Sequence, residues 1–359
     1  MNPYLKYRTR LDSYRYALDN GLSDAWFVEQ VQKLDAAVAG VEGHGFEETP
    51  IVDGSPVARA AGLDVELFIK AEPHNVGGSH KARHLFGVAL HQLTQEALGA
   101  EPQENLAIAS CGNAALGAAV IAAAMKRNLE VFVPVWADES VITRLDELGA
   151  SINRCERRPG ESGDPCYHRF TEAVEGGAGP FSVQGTDTPT TFDGGRTLGW
   201  ELADQVPDLD AIYVQVGGGA LATAVSMALP DVRLHPVQAE GAAPLRRAWE
   251  AMSPDFDFDK AEAHPDEYMT PWENPTSLAT GILDDITYDW IPLLKQTRAT
   301  GGEPIVAPED LIVTAYEMAH RYTDVPVCVT GTAGLAGLLH RPPDRRERVA
   351  VLFTGLDRQ

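Results

Sequence analysis

The stretch with the most chemical content is NVGGSHKARHL, residues 75–85. Lys81 follows the glycine pair Gly77 and Gly78 and then Ser79 and His80. Glycines permit a tight turn and a serine can cap helical amides, so the spacing predicts a helix whose first turn holds Lys81. A helix N-terminus carries partial positive charge. That placement disfavours an ammonium ion and favours the neutral amine needed for imine formation. The same pattern also fits an exposed lysine in an ordinary first turn. His80 and His84 stand four apart on one helix face, a spacing that could bind a metal, but no third ligand accompanies them and no metal is expected.

Three further stretches follow strand-like runs. SCGNAALG, residues 110–117, offers free amides and a hydroxyl at a helix start, which suit a carboxylate, and Asn113 can hydrogen-bond a phenolic or carbonyl oxygen. VGGGALATAV, from Val216, places Gly217, Gly218 and Gly219 after a buried strand, where backbone amides can surround a phosphate without a basic side chain. It has neither the GxGxxG spacing of dinucleotide folds nor the GK[ST] ending of nucleotide loops. CVTGTAGLAGLL, residues 328–339, offers the neutral hydroxyls of Thr330 and Thr332. Taken singly, each also reads as a capped helix or a plain turn.

The elements that must position these stretches alternate. Strands are expected at 65–72, 104–110, 130–135, 211–216, 233–240 and 348–355, with helical patterns after most of them. This alternation implies an α/β fold with parallel sheets, and short apolar strands imply sheets covered on both faces. In such sheets ligands bind at the carboxyl ends of strands. Residues 1–48 read as a polar helical extension, and the acidic run 253–275 as a surface excursion.

The chain has 359 residues, 44% of them hydrophobic, enough for about two domains. Its net charge of -23 argues against nucleic acid as a partner. A salt-rich cytoplasm is one reason for such charge, and an anionic ligand would have to be held by local amides against the overall field. No run of 18 apolar residues predicts a membrane span, and the polar N-terminus lacks a secretion signal's apolar core. Cys111, Cys155, Cys166 and Cys328 show no zinc spacing and read as reduced thiols of a cytoplasmic protein.

In order and spacing these stretches resemble the pyridoxal-phosphate enzymes of the tryptophan-synthase-β fold (fold type II), in the branch of threonine synthases and threonine or serine dehydratases. FIKAEPHNVGGSHKARH resembles the segment around the family's Schiff-base lysine, SCGNAAL the Ser-x-Gly-Asn loop, VGGGAL the phosphate loop, and FDGGRTLGWEL (192–202) a further family segment. NPTSLATGI (274–282) and GTAGLAGLL are similar to threonine synthases. The resemblance spans about residues 45–357 and implies a two-domain, three-layer α/β fold. Its large cofactor domain would comprise 49–84 and 185–359, and its small domain 85–184. It implies that Lys81 binds the cofactor aldehyde and, once freed, removes the substrate α-proton. Gly217, Gly218, Gly219, Ala220 and Leu221 would hold the phosphate, Asn113 would meet the ring oxygen, and Thr330 the ring nitrogen. Ser110, Cys111, Gly112, Asn113 and Ala114 would present groups to the substrate carboxylate. His80, Arg83 and Arg196 are candidates for other substrate contacts. His80 before the lysine and Ala82-Arg83 after it are closer to dehydratases, whereas the last eighty or so residues are closer to synthases. The expectation is a lyase acting on a small amino acid by β- or γ-elimination, as a homodimer. A β-replacement transferase and a non-catalytic amino-acid sensor are the alternatives.

Overall fold

The computed structural model describes residues 1–358. Its strands are β1 Ile51–Asp53, β2 Glu66–Ala71, β3 Asn105–Ala109, β4 Asn128–Pro134, β5 Ser151–Cys155, β6 Gly179–Pro180, β7 Ala211–Gln215, β8 Arg233–Ala239, β9 Ile305–Ala307 and β10 Arg348–Phe353. The chain divides into two compact units. One comprises Met1–Glu48 and Asn75–Thr197, and the other Thr49–His74 and the chain from Leu198 onward.

The first unit is built on a four-stranded sheet of order β5-β4-β3-β6, all parallel. Its central strands bury Leu106, Ala107 and Ile108 against Val131, Phe132 and Val133. The alanine-rich helix Asn113–Met125 is buried along most of its length. It packs against Lys81–Ala97 and Asp24–Glu42. Helix Asp24–Glu42 explains itself locally. Ser23 accepts the Trp26 amide, Phe27, Val31, Leu34 and Val38 make one buried face, and Gly43 ends it at φ 89. Residues 1–48 are therefore packed into this unit. Tyr4 fixes the first turn: its ring lies 4.3 Å from that of Phe86, and its hydroxyl donates to the Arg83 carbonyl at 2.6 Å. Burying rings of this size contributes about 1.5–3 kcal/mol each.

The second unit carries a six-stranded sheet of order β1-β2-β10-β7-β8-β9, parallel except that β1 runs antiparallel to β2. The terminal strand β10 lies between β2 and β7, and Val349, Ala350, Val351, Leu352 and Phe353 are fully buried. An apolar run with no polar alternation has this meaning in a sheet covered on both faces. The acidic segment 253–275 is less of an excursion than its composition implies. It forms short helices Phe258–Ala263 and Pro265–Tyr268, and Ala261 and Met269 anchor it in the core.

The sequence-based boundaries at 84 and 184 differ from the observed ones. Asn75–His84 belongs with the four-stranded sheet, so Lys81 does too. The cause is a close backbone approach. A Cβ on Gly117 would stand 3.1 Å from the Ala82 nitrogen, and one on Gly77 would stand 3.3 Å from the Gly117 α-carbon.

Candidate active site

In the first unit the turn before Lys81 is held by its own backbone. Gly78 N–H donates to the Asn75 carbonyl at 2.8 Å, and Gly77 and Gly78 sit at φ 68 and 69, which glycine adopts without steric cost. Ser79 is extended, and its hydroxyl accepts the Lys81 N–H at 3.3 Å. The helix Lys81–Ala97 starts at the lysine itself, which is half-buried. His80 and His84 are buried with their rings 5.9 Å apart. Burial, and next the charge of Lys81, push the His84 pKa down to about 3. His84 is therefore neutral at physiological pH, with Nδ1 3.0 Å from the Thr191 carbonyl oxygen. No group of His, Cys, Asp and Glu arranged to hold a metal is found among the described residues.

The Ser110–Ala114 loop leaves the carboxyl end of β3 in the same unit, with Ser110 N–H bound to the Phe132 carbonyl of β4 at 3.2 Å. Helix Asn113–Met125 follows, and its first internal bond runs from the Leu116 amide to the Gly112 carbonyl at 3.1 Å. The amides of Asn113, Ala114 and Ala115 thus have no acceptor within the helix. Ser110, Cys111, Gly112 and Asn113 are partly exposed, and Ala114 is buried. The Gly77–Gly117–Ala82 approach holds this loop's helix beside the lysine's helix.

Arg83 and Arg196 are tied into the same unit. Arg83 is fully buried and donates to the Thr197 hydroxyl at 3.0 Å. Arg196 pairs with Asp12 and Asp193, each at 2.6 Å. Asp193 also accepts the amides of Asp12 and Ser13, capping the helix Asp12–Asp19 from a distant part of the chain.

In the second unit, β7 ends at Gln215 and Gly217–Gly219 lead into the nine-residue helix Ala220–Ala228. Gly219 lies at φ 104, and the first helical bond runs from the Thr223 amide to the Gly219 carbonyl. The amides of Ala220, Leu221 and Ala222 therefore have no helical acceptor, and the helix dipole adds positive potential there. The buried Gln215 side chain braces the loop's base, donating to Gly331 O, Leu352 O and the Thr354 hydroxyl at 2.7–3.1 Å. Thr330 is half-buried, and its hydroxyl accepts the Gly281 amide at 3.0 Å, leaving its own proton to donate elsewhere.

One segment, Thr280–Asp289, runs past both Thr330 and the glycine loop. Asp289 N–H donates to Gly218 O at 2.9 Å, and a Cβ on Gly217 would overlap the Asp284 carboxylate. Sequence reasoning stopped at Ile282 and missed Asp284. The available signal was the acidic pair Asp284–Asp285, which follows NPTSLATGI after Leu283. It also missed Gln215, whose position at the end of a buried strand was the only hint.

A fully buried network supports this unit. Lys70 Nζ donates to Glu201 Oε2 at 2.6 Å, Thr49 O at 2.7 Å and Gln205 Oε1 at 2.9 Å, while the Thr49 hydroxyl donates to Glu72. Lys70 and Glu72 are the K-x-E of the FIKAE stretch, and Glu201 closes the FDGGRTLGWEL stretch.

A glycine loop that a Cβ at Gly217 or Gly219 would crowd, the Ala220–Ala222 amides with no helical acceptor and a neutral hydroxyl donor are groups able to receive a phosphorylated pyridine cofactor. The comparisons agree. The L-threonine ammonia-lyase of Thermotoga maritima is 26% identical over 302 residues, covering 81% of this chain and 67% of that protein. Human serine racemase is 28% identical over 297 residues, covering 81% and 79%. The solved structure of maize serine racemase superposes with a TM-score of 0.71 at 20% identity, over 92% of this chain and 94% of that one. The sequence profile of the family described as "Pyridoxal-phosphate dependent enzyme" matches residues 44–355. With that match across most of its length, and with the type II fold, this chain belongs to the pyridoxal-phosphate-dependent enzymes.

Proposed function

We propose that this chain is a lyase that removes water or another β- or γ-leaving group from a small amino acid, with Lys81 as its catalytic amine. The observation that carries the reading is the position of Lys81: first residue of a buried helix, after a glycine turn, and packed beside the helix that the Ser110–Ala114 loop opens. The bound cofactor supplies an electron-withdrawing ring conjugated to the substrate α-carbon. The roles of the chain's own groups follow from their chemistry. Lys81 forms the covalent link to the cofactor, and its freed amine takes the α-proton. Neutral His84 adds no second positive charge beside it. The amides of Asn113 and Ala114, with the groups of Ser110, Cys111 and Gly112, receive the substrate carboxylate, and the Asn113 side chain meets the ring oxygen. Gly217, Gly218, Gly219, Ala220 and Leu221 receive the phosphate. Thr330 donates to the ring nitrogen. A hydroxyl does not keep that nitrogen protonated as a carboxylate would, so electron withdrawal is moderate and departure of a leaving group is favoured over transamination. His80 and Arg83 shape the lysine's surroundings from inside the unit.

Racemisation is the second reading, and the serine racemases among the relatives favour it. Both reactions begin with loss of the α-proton. They differ in whether a leaving group departs or a proton returns to the opposite face. Purified protein incubated with L-serine, L-threonine and phosphohomoserine separates them. Keto-acid and ammonia support the lyase, the D-enantiomer supports a racemase, and a new amino acid on adding a thiol supports a replacement transferase. No helix among the described residues is long and apolar enough to cross a membrane. Location in the cytoplasm and assembly as a homodimer belong to the same reading, the second being measurable by sedimentation.

A further inference from the structure

The second unit holds a cleft that no step of the proposed reaction uses. It has a volume of about 220 Å³, and Arg246, Glu250, Glu303, Ile305, His340 and Arg341 line it. Pockets for drug-sized ligands run to about 300–1,000 Å³, so this one suits a smaller molecule. Two of its walls are tied to one stacked pair. Tyr213 and His235 face each other across β7 and β8 with ring centroids 4.7 Å apart. The Tyr213 hydroxyl donates to the Arg341 carbonyl at 2.9 Å, and His235 Nδ1 lies 3.2 Å from the Glu303 carbonyl oxygen. Helix Ala333–His340 begins three residues after Thr330 and ends in the cleft, about 12 Å farther on at 1.5 Å per residue. The cleft is thus separate from the groups proposed to hold the cofactor.

The charges in the cleft are arranged in two halves. Arg246 is held by Nε on Glu250 at 2.7 Å and by Nη1 on Glu303 at 3.0 Å and on the Pro304 carbonyl at 2.9 Å. Its Nη2 keeps both hydrogens without an acceptor among the described residues, and one oxygen of each glutamate accepts nothing. Arg341 and His340 are exposed, and neither side chain has a hydrogen-bond or ion-pair partner among the described residues. The two guanidinium groups balance the two carboxylates. A bare anion would meet both carboxylates and the field of a chain with net charge -23, and a bare cation would meet both guanidinium groups. A molecule that carries both charges meets neither penalty. We propose that this cleft binds a small zwitterion of the amino-acid class, with its carboxylate on Arg341 and Arg246 Nη2 and its ammonium on Glu250 and Glu303. The site is additional to the lyase reading and does not rest on it.

The test uses full-length holoenzyme after borohydride reduction, which blocks covalent capture of an amine at the cofactor. Wild type, Arg341→Gln and Arg341→Lys are titrated calorimetrically with glycine, acetate and methylammonium. Glycine should bind wild type saturably. Arg341→Gln should bind it roughly tenfold more weakly, the scale of one charge-assisted contact. Arg341→Lys keeps the charge without the planar fork and should recover part of the loss. Acetate and methylammonium carry one charge each and should bind wild type roughly tenfold more weakly than glycine. The Arg341 side chain has no partner in the fold, so the melting midpoint without ligand should match wild type in both variants. Absence of saturable glycine binding, or equal glycine affinity in Arg341→Gln, overturns the site. Acetate or methylammonium binding as tightly as glycine overturns the zwitterion.

Discussion

The Nδ1 of His84 stands 3.0 Å from the carbonyl oxygen of Thr191, with the ring fully buried one helical turn beyond Lys81. A carbonyl can only accept, so Nδ1 carries the proton of the neutral ring. Burial is the main reason the folded pKa falls to about 3, with the Lys81 charge second. In the unfolded chain His84 titrates near its ordinary value of 6.5. Between these values the unfolded state binds a proton that the folded state does not, so stability falls as pH drops from about 6.5 toward 3, by up to about 1.4 kcal/mol per pH unit. Burial lowers the pKa of His91 and His235 as well, and they act in the same direction. The prediction concerns a difference in slope. Urea unfolding at pH 7.5, 6 and 5 should show a shallower loss with acid in His84→Asn, which retains a donor toward Thr191. Parallel slopes would remove His84 from the account.

Most of the strand–helix order was legible because short apolar strands and glycine-led helix starts leave local marks. Strands β1, β5, β6 and β9 were not: β1, β6 and β9 are only two or three residues long, β5 is mostly polar in sequence, and all four are fixed by pairing rather than by pattern. The lysine, glycine-loop and threonine positions stood out through local spacing. The contact of Asp284 with Gly217 did not, because the two lie far apart in the chain and no local spacing encodes it. Arg83 shows the reverse error of emphasis. A lone arginine beside the lysine suggests a substrate anion, yet its guanidinium is buried and donates to Thr197, a partner 114 residues away.

The same distance dependence gives the FDGGRT stretch a packing role. A Cβ on Gly194 would overlap the Arg83 carbonyl, and one on Gly87 would overlap the Gly194 backbone. Both obstacles are main chain, which cannot rotate away. Gly194→Ala should therefore force the helix carrying Lys81 outward and cost about 1–3 kcal/mol. A thermal melt checks this, and an unchanged midpoint would show that the two backbones are not as close in solution.

Lys81→Ala should lose both turnover and the borohydride-trapped label while keeping the wild-type melting curve without cofactor, since the side chain is half-buried and the turn before it is held by backbone bonds. Lys81→Arg should behave alike, because a guanidinium stays protonated and cannot form the link. Mass mapping of the reduced protein gives the answer. A label on any lysine other than Lys81, or full activity in either variant, would contradict the assignment.

Lys70 tests what the buried charges do for the fold. Its ammonium satisfies Glu201, the Thr49 carbonyl and Gln205 at once, and Thr49 in turn bonds Glu72, so one cation organises two carboxylates with no exposed side chain among Lys70, Glu72 and Glu201. Removing the cation alone leaves the buried Glu201 carboxylate without its counter-ion, which typically costs about 3–5 kcal/mol. Lys70→Met keeps the volume and loses the charge, so its denaturation midpoint should fall steeply. The double variant Lys70→Met with Glu201→Gln also removes the carboxylate charge that Lys70 balances and should recover part of the loss. Denaturant unfolding of the four proteins forms a closed cycle, and the coupling it yields is the direct measure of the pair. A coupling near zero would mean that water reaches this network and that the fold does not depend on the pair.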